Sequence, residues 1–144
     1  MTTAYTQLLN LALPVTGELT NTWGTTVNDN LTQFLENAIA GYQTQSVSGS
    51  DWTLSTTVPG TTGSSSTNAA RYAILIATGT PATTRYIYAP KQSKTYVVIN
   101  NCSDQSSVFL CGGPTSPTTG VEIEAGGSAL VAWGSTVNDF VKIA

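Results

Sequence analysis

The sequence predicts a mainly β fold: an antiparallel β-sandwich or barrel, preceded by an extended N-terminal arm and one amphipathic helix. Three observations carry this. From about residue 43 onward, apolar and polar residues alternate with period two, the mark of half-buried strands. Gly- and Pro-containing turn material separates these runs at the short spacing of an all-β domain. Roughly one residue in six is threonine, and with Val, Ile and Tyr it suits pleated, half-buried surfaces.

Taken in chain order, residues 5–22 read as an extended arm. Leu9, Leu11 and Leu13 alternate there, and Pro14 and Gly17 forbid a continuous helix. The helical signal follows. Val27, Leu31, Phe34, Leu35, Ala38 and Ile39 fall on one stripe at helical spacing. Thr26 is the expected N-cap, with Asp29 in a capping-box-like place, and Gly41 is the expected C-terminal stop. A helix of about four turns is marginal alone in water. Burying its six apolar side chains is worth on the order of 10 kcal/mol at most, so it must lie on its own β domain or on a neighbour.

The expected strands are 43–48, 51–57, 69–78, 84–89, 94–101, 107–111, 120–124, 127–133 and 138–143. In the third, Tyr72, Ile74 and Ile76 face one way and Ala73, Leu75 and Ala77 the other; in 120–124, Val121 and Ile123 point in while Glu122 and Glu124 point out. Residues 58–68, rich in Gly, Ser and Thr, read as a loop. The organisation is therefore an assembly segment over 1–42 and a β domain over 43–144. At 144 residues the chain suits one core.

Charge is scarce. There are five basic and eight acidic residues, no histidine, and a net charge of −3. Histidine is the side chain that normally titrates near neutral pH, so Ser-His and Cys-His nucleophile pairs have no base here. No basic face is available for phosphate contacts, and nucleic acid is not an expected partner. Arg71, Arg85, Lys91 and Lys94 cluster in one stretch. They read either as solvated strand faces or as a patch that docks on an acidic subunit. No secretory leader is visible at Met1-Thr2-Thr3-Ala4-Tyr5, and no apolar run reaches membrane-spanning length.

Candidate chemistry is thin. Gly60-Thr61-Thr62-Gly63-Ser64-Ser65 lacks the lysine of a phosphate loop, and Gly126-Gly127-Ser128 lacks the closing glycine of a hydrolase elbow. Glu122 and Glu124 share a strand face, which is ordinary for an exposed strand. Asn28-Asp29-Asn30 offers too few carboxylates for calcium. No catalytic, cofactor-binding or metal-binding residue is assigned. Cys102 and Cys111 flank a predicted hairpin and would either form a cross-strand disulfide or remain packed thiols. Tyr72, Tyr86, Tyr88, Tyr96, Trp52 and Trp133 lie on expected strands, as core packing or as a shallow glycan platform or subunit interface. Trp23-Gly24-Thr25-Thr26-Val27-Asn28-Asp29 recurs nearly intact as Trp133-Gly134-Ser135-Thr136-Val137-Asn138-Asp139. The two copies sit in different contexts, so shared turn chemistry explains them better than duplication does.

Several blocks resemble virion proteins of tailed bacteriophages, especially phages of cyanobacteria and marine bacteria. They are Leu13-Pro14-Val15-Thr16-Gly17, Asn21-Thr22-Trp23-Gly24, Asn28 and Asn30, and Leu35 to Gly41. Further on come Ala70 to Leu75, Ala89 to Val98, and Gly120 to Trp133. The resemblance spans nearly the whole chain and points to the particle surface more than to one part of it. It implies a capsid decoration (cement) protein, with a tail fibre or adaptor component that binds a host receptor or glycan as the alternative. It also implies a homotrimer, made in the bacterial cytoplasm and residing in the virion. The expected partners are the major capsid protein or other virion proteins, with no membrane, no cofactor and no catalysis. Leu9, Leu11, Leu13, Trp23, Val27, Leu31, Phe34, Leu35 and Ile39 are the expected assembly interface.

Overall fold

A computed structural model describes residues 4–6, 11–14, 17, 20–55, 69–113 and 119–144. The arm is represented by a small hairpin: β1 (Ala4–Tyr5) pairs antiparallel with β2 (Ala12–Leu13). Leu9, the 58–68 loop and the end of the expected 51–57 strand lie outside the described residues.

Next comes one continuous helix, α1, in three segments: Trp23–Val27, a wider π turn over Asn28–Thr32, and Gln33–Ala40. It begins earlier than predicted. Thr22, not Thr26, is the N-cap, and the Thr26 amide is already bonded back to the Thr22 carbonyl. At the other end Gly41 is extended (φ −81°, ψ 152°) and not left-handed. A Cβ there would lie 2.7 Å from the Asn37 carbonyl oxygen and 3.0 Å from the Tyr72 ring, so glycine serves by its small size.

The β domain has two facing sheets. The strands are β3 (Tyr42–Ser46), β4 (Trp52–Thr53), β5 (Ile74–Gly79), β6 (Arg85–Ala89), β7 (Thr95–Cys102), β8 (Val108–Gly112), β9 (Val121–Ile123), β10 (Ser128–Gly134) and β11 (Asp139–Lys142). Each falls on an expected strand; residues 69–71 of the third form a 3₁₀ turn instead. One sheet is ordered β11-β10-β7-β5-β3, the other β4-β6-β8-β9. The sheets do not close, so the fold is sandwich-like and not a barrel.

Strand direction is where the fold departs from an antiparallel sandwich. β3, β5 and β7 are mutually parallel, as are β4, β6 and β8. From β3 to β8 the chain alternates between the two sheets and winds as a coil. Parallel neighbours need a crossover, and here the crossover is a strand of the opposite sheet where most folds use a helix. In these two sheets the described antiparallel pairs are those made by β9, β10 and β11.

The inward residues form one core. Leu75, Ala77, Val98 and Val131 from the first sheet meet Ile87, Val108 and Leu110 from the second, all at 0% exposure. Asn100, also fully buried, joins the layers. Its Nδ2 donates to the carbonyls of Ser106 (2.8 Å) and Ile123 (3.0 Å), and its Oδ1 accepts from the Cys102 amide (3.1 Å). Asp139 makes a second tie: Oδ1 accepts from the amides of Gly112 and Phe140, both at 2.7 Å, and Oδ2 from the Thr119 hydroxyl. A buried carboxylate with three donors has its desolvation cost offset.

Candidate assembly surfaces

The predicted stripe on α1 does not go down as a unit. Phe34 is fully buried, with the Arg71 guanidinium carbon 3.2 Å above its ring centre. Buried Asn30 lies one turn before it and half-buried Asn37 one turn after, so the face that packs inward is Asn30–Phe34–Asn37. Val27, Leu31 and Ala38 are half-buried at its flank. Leu35 (43% exposed) and Ile39 (71%) point into solvent, as does Trp23 at the helix start (61%). In the π turn the Gln33 amide reaches back to Asn28, adding a residue and rotating the first helical segment against the last.

The interface residues expected from the sequence therefore divide. Phe34 is corrected: it belongs to the protein's own packing. Leu13 (48%), Trp23, Leu35 and Ile39 are exposed apolar side chains. Leu11, Val27 and Leu31 are half-buried, and Leu9 lies outside the described residues.

The disulfide alternative is also corrected. The hairpin it needed does not form, because β7 and β8 belong to different sheets. Cys102 and Cys111 are two buried free thiols. Burial raises both thiol pKa values, that of Cys111 to about 11 with Asp139 and Asp51 adding to the effect, and Cys102 is raised further by Asp104. Both are poor nucleophiles at neutral pH.

The cationic stretch is neither of the two things its sequence suggested. Lys91 is exposed, but Arg71 is buried and Arg85 is half-buried. The Arg85 guanidinium donates to the Ser48 carbonyl at 3.1 Å. Lys94 turns inward: its Nζ donates to the carbonyls of Ala70, Arg71 and Tyr72, and it sits 4.6 Å from the Tyr96 ring centre. The ammonium thus caps the end of the 3₁₀ turn, while the Tyr96 hydroxyl donates to the Ala70 carbonyl at 2.8 Å. Burial lowers the Lys94 pKa to about 7, with the Arg71 charge adding to it, and burial lowers that of Arg71 to about 10. Sequence reasoning missed this lock because a basic residue beside a strand normally faces water.

The aromatic residues divide in a similar way. Trp52, Tyr72 and Tyr96 are in the core, and Trp133 packs edge-on against Phe140 at 5.4 Å. Tyr86, Tyr88 and Phe109 are half-buried on the outer face of the four-stranded sheet. Their ring centres lie 6.1 Å apart for Tyr86–Tyr88 and 5.7 Å for Tyr86–Phe109. Asp51 borders them, accepting from the Tyr86 amide at 3.0 Å and the Tyr88 hydroxyl at 3.4 Å.

Glu122 on β9 and Glu124 just after it are exposed and line a shallow groove with Lys142. Asn28 and Asp29 are exposed while Asn30 is buried, so those three do not converge on one point. Among the described residues no group of three or more Cys, Asp or Glu is placed to hold a metal. No described helix is long and apolar enough to cross a membrane. The repeated heptapeptide occupies unlike settings: Trp23 opens a helix, Trp133 lies on β10; Asp29 is exposed, Asp139 buried.

No family model matches this chain, and neither a curated protein nor a solved structure is significantly similar to it.

Proposed function

We propose that this chain is a non-catalytic structural protein of a tailed-bacteriophage virion, and that it decorates the capsid by seating its N-terminal hairpin and helix on neighbouring subunits. The observation that carries this is the ridge of Leu35 and Ile39, with Trp23 also exposed at the helix start, on a helix whose other face is already anchored by Phe34. An anchored helix with a second apolar edge is suited to joining its own domain to another protein. The sequence resemblance of the 13–41 segment to phage particle proteins supports the same reading. Seating this ridge across a joint removes apolar area from water and raises the free energy of opening the joint.

The test is particle binding by a truncated chain that starts at residue 42. It is expected to keep the far-UV circular dichroism of a β domain and to lose attachment to capsids of the phage that encodes it. Full occupancy by the truncated chain would overturn the reading.

One observation favours the alternative, a tail component that binds a host receptor or glycan. The Tyr86–Tyr88–Phe109 cluster with Asp51 at its border combines ring faces with a hydrogen-bonding carboxylate. Saturable binding of the chain to host cells or arrayed glycans, lost in Tyr86→Ala, would select this alternative.

A further inference from the structure

The central strands of the larger sheet are apolar on both faces. β5 contains Ile74-Leu75-Ile76-Ala77, β7 contains Tyr96-Val97-Val98-Ile99, and β10 contains Ala129-Leu130-Val131-Ala132. Uninterrupted runs of this kind characterise strands covered on both sides. Among the described residues, the four-stranded sheet covers one side and no strand or helix is layered on the other. Leu75, Val98 and Val131 are at 0% exposure against it, while Ile74, Ile76, Val97, Ile99 and Leu130 are half-buried on the other side.

Register arranges the outward residues in rows. Tyr42 is beside Ile74, Ile74 beside Val97, and Val97 beside Leu130. The row continues to Ile143, whose amide donates to the Leu130 carbonyl. A second row places Ile76 beside Ile99. Tyr42 (64% exposed), Val141 (39%) and Ile143 (58%) complete the patch. The polar members of the face are Thr44, Ser46, Thr78, Thr95, Asn101 and Ser128, so none of the outward residues is charged. Asp139 at its edge is buried and bonded to Gly112, and Lys142 lines the groove of Glu122 and Glu124.

We propose that this outer face of the five-stranded sheet is the contact between copies of this chain. The exposed apolar area is on the order of 500 Å², at the upper end for a monomer. With the polar threonine and serine positions it approaches the roughly 800 Å² that each partner of a standard interface contributes. The occupant follows from charge and geometry. Copies with a net charge of −3 repel each other, but this face brings no charge into the contact and demands no opposite charge from a partner. Sheet faces also stack on like faces at about 10 Å, with side chains interdigitating. The inference does not depend on the virion reading, since it concerns a different surface and a different partner from those of the helix ridge.

The test is the solution mass of the full chain, by sedimentation or light scattering, over about 1–100 μM. Wild type is expected to self-associate. Val97→Asp at the centre of the patch is expected to weaken that association on the order of 100-fold, because a buried carboxylate would lack a partner. Ile143→Asp, beyond the last strand and remote from the core, is the second variant and is expected to weaken it as well; Leu35→Ser is expected to leave it unchanged. A wild-type monomer throughout the range, or an oligomer that survives Ile143→Asp and folded Val97→Asp alike, would overturn the inference. Loss of particle binding in the truncated chain bears on the helix alone, so the two readings can fail separately.

Discussion

The two sheets have the same kind of inner face and opposite kinds of outer face. Inward, both are aliphatic: Leu75, Val98 and Val131 in one, Ile87, Leu110 and Ile123 in the other. Outward, the four-stranded sheet carries Tyr86, Tyr88, Phe109 and Glu122, side chains with an aromatic body or a charge that can face water. The five-stranded sheet carries Ile74, Ile76, Val97, Ile99 and Leu130. The inner faces account for folding. The difference between the outer faces separates a surface that can remain wet from one that gains by being covered.

The largest expected effect is at the junction of the two layers. Asn100→Leu keeps the approximate volume but leaves the Ser106 and Ile123 carbonyls and the Cys102 amide without their side-chain partner. Each buried orphan costs roughly 1–3 kcal/mol. A loss of about 3–5 kcal/mol in denaturant-induced unfolding is expected. A change below about 1 kcal/mol would mean that the layers are not joined through this residue.

A middle-sized effect belongs to Lys94, whose ammonium is held by the carbonyls of Ala70, Arg71 and Tyr72. Its folded pKa lies near 7 and its unfolded value near 10.5. Between these the unfolded state holds more protons than the folded state, so stability rises with pH. From pH 7 to 8.5 the gain is roughly 1–2 kcal/mol. Above about 9 the raised Cys111 thiol opposes it, because the unfolded thiol then ionises first. Lys94→Met is expected to flatten the rise between pH 7 and 8.5. A slope that persists in the variant would assign the effect to another group.

The smallest effect sharpens the contrast between the outer faces. Tyr86→Ala removes ring contacts to Tyr88 and Phe109 and is expected to cost about 1 kcal/mol or less beyond lost area, with no change of solution mass. A shift to lower mass would give the aromatic face the role assigned here to the aliphatic one.

Much of this was legible in the sequence, and the misses have identifiable causes. Period-two alternation located the strands of the β domain, set Leu75 and Ala77 on the face opposite Ile74 and Ile76, and pointed Val121 and Ile123 inward; Tyr72, expected on the side of Ile74 and Ile76, enters the core instead, because the strand begins only at Ile74. Alternation sets which face a residue takes, but not which strand lies alongside, so the parallel pairing of β5 with β7 left no local trace. The helix stripe was real, yet Phe34 and Leu35 parted company: the Arg71 side chain meets Phe34 from a segment far along the chain. Lys94 was misread for a similar reason. Its partners are backbone carbonyls of residues 70–72, and carbonyls carry no signature in a sequence. The ridge of Leu35 and Ile39 was visible as apolar side chains, but only the fold shows that the domain leaves them uncovered.

The proposed role in assembly rests on this uncovered ridge being a contact surface. The most direct measurement is the occupancy of phage particles by full-length chain carrying Leu35→Ser and Ile39→Ser, compared with wild type at equal concentration. Both side chains face solvent, so thermal unfolding is expected to change little. Occupancy is expected to fall at least about tenfold, the equivalent of about 1.4 kcal/mol of lost contact. Wild-type occupancy by a folded double variant would contradict it.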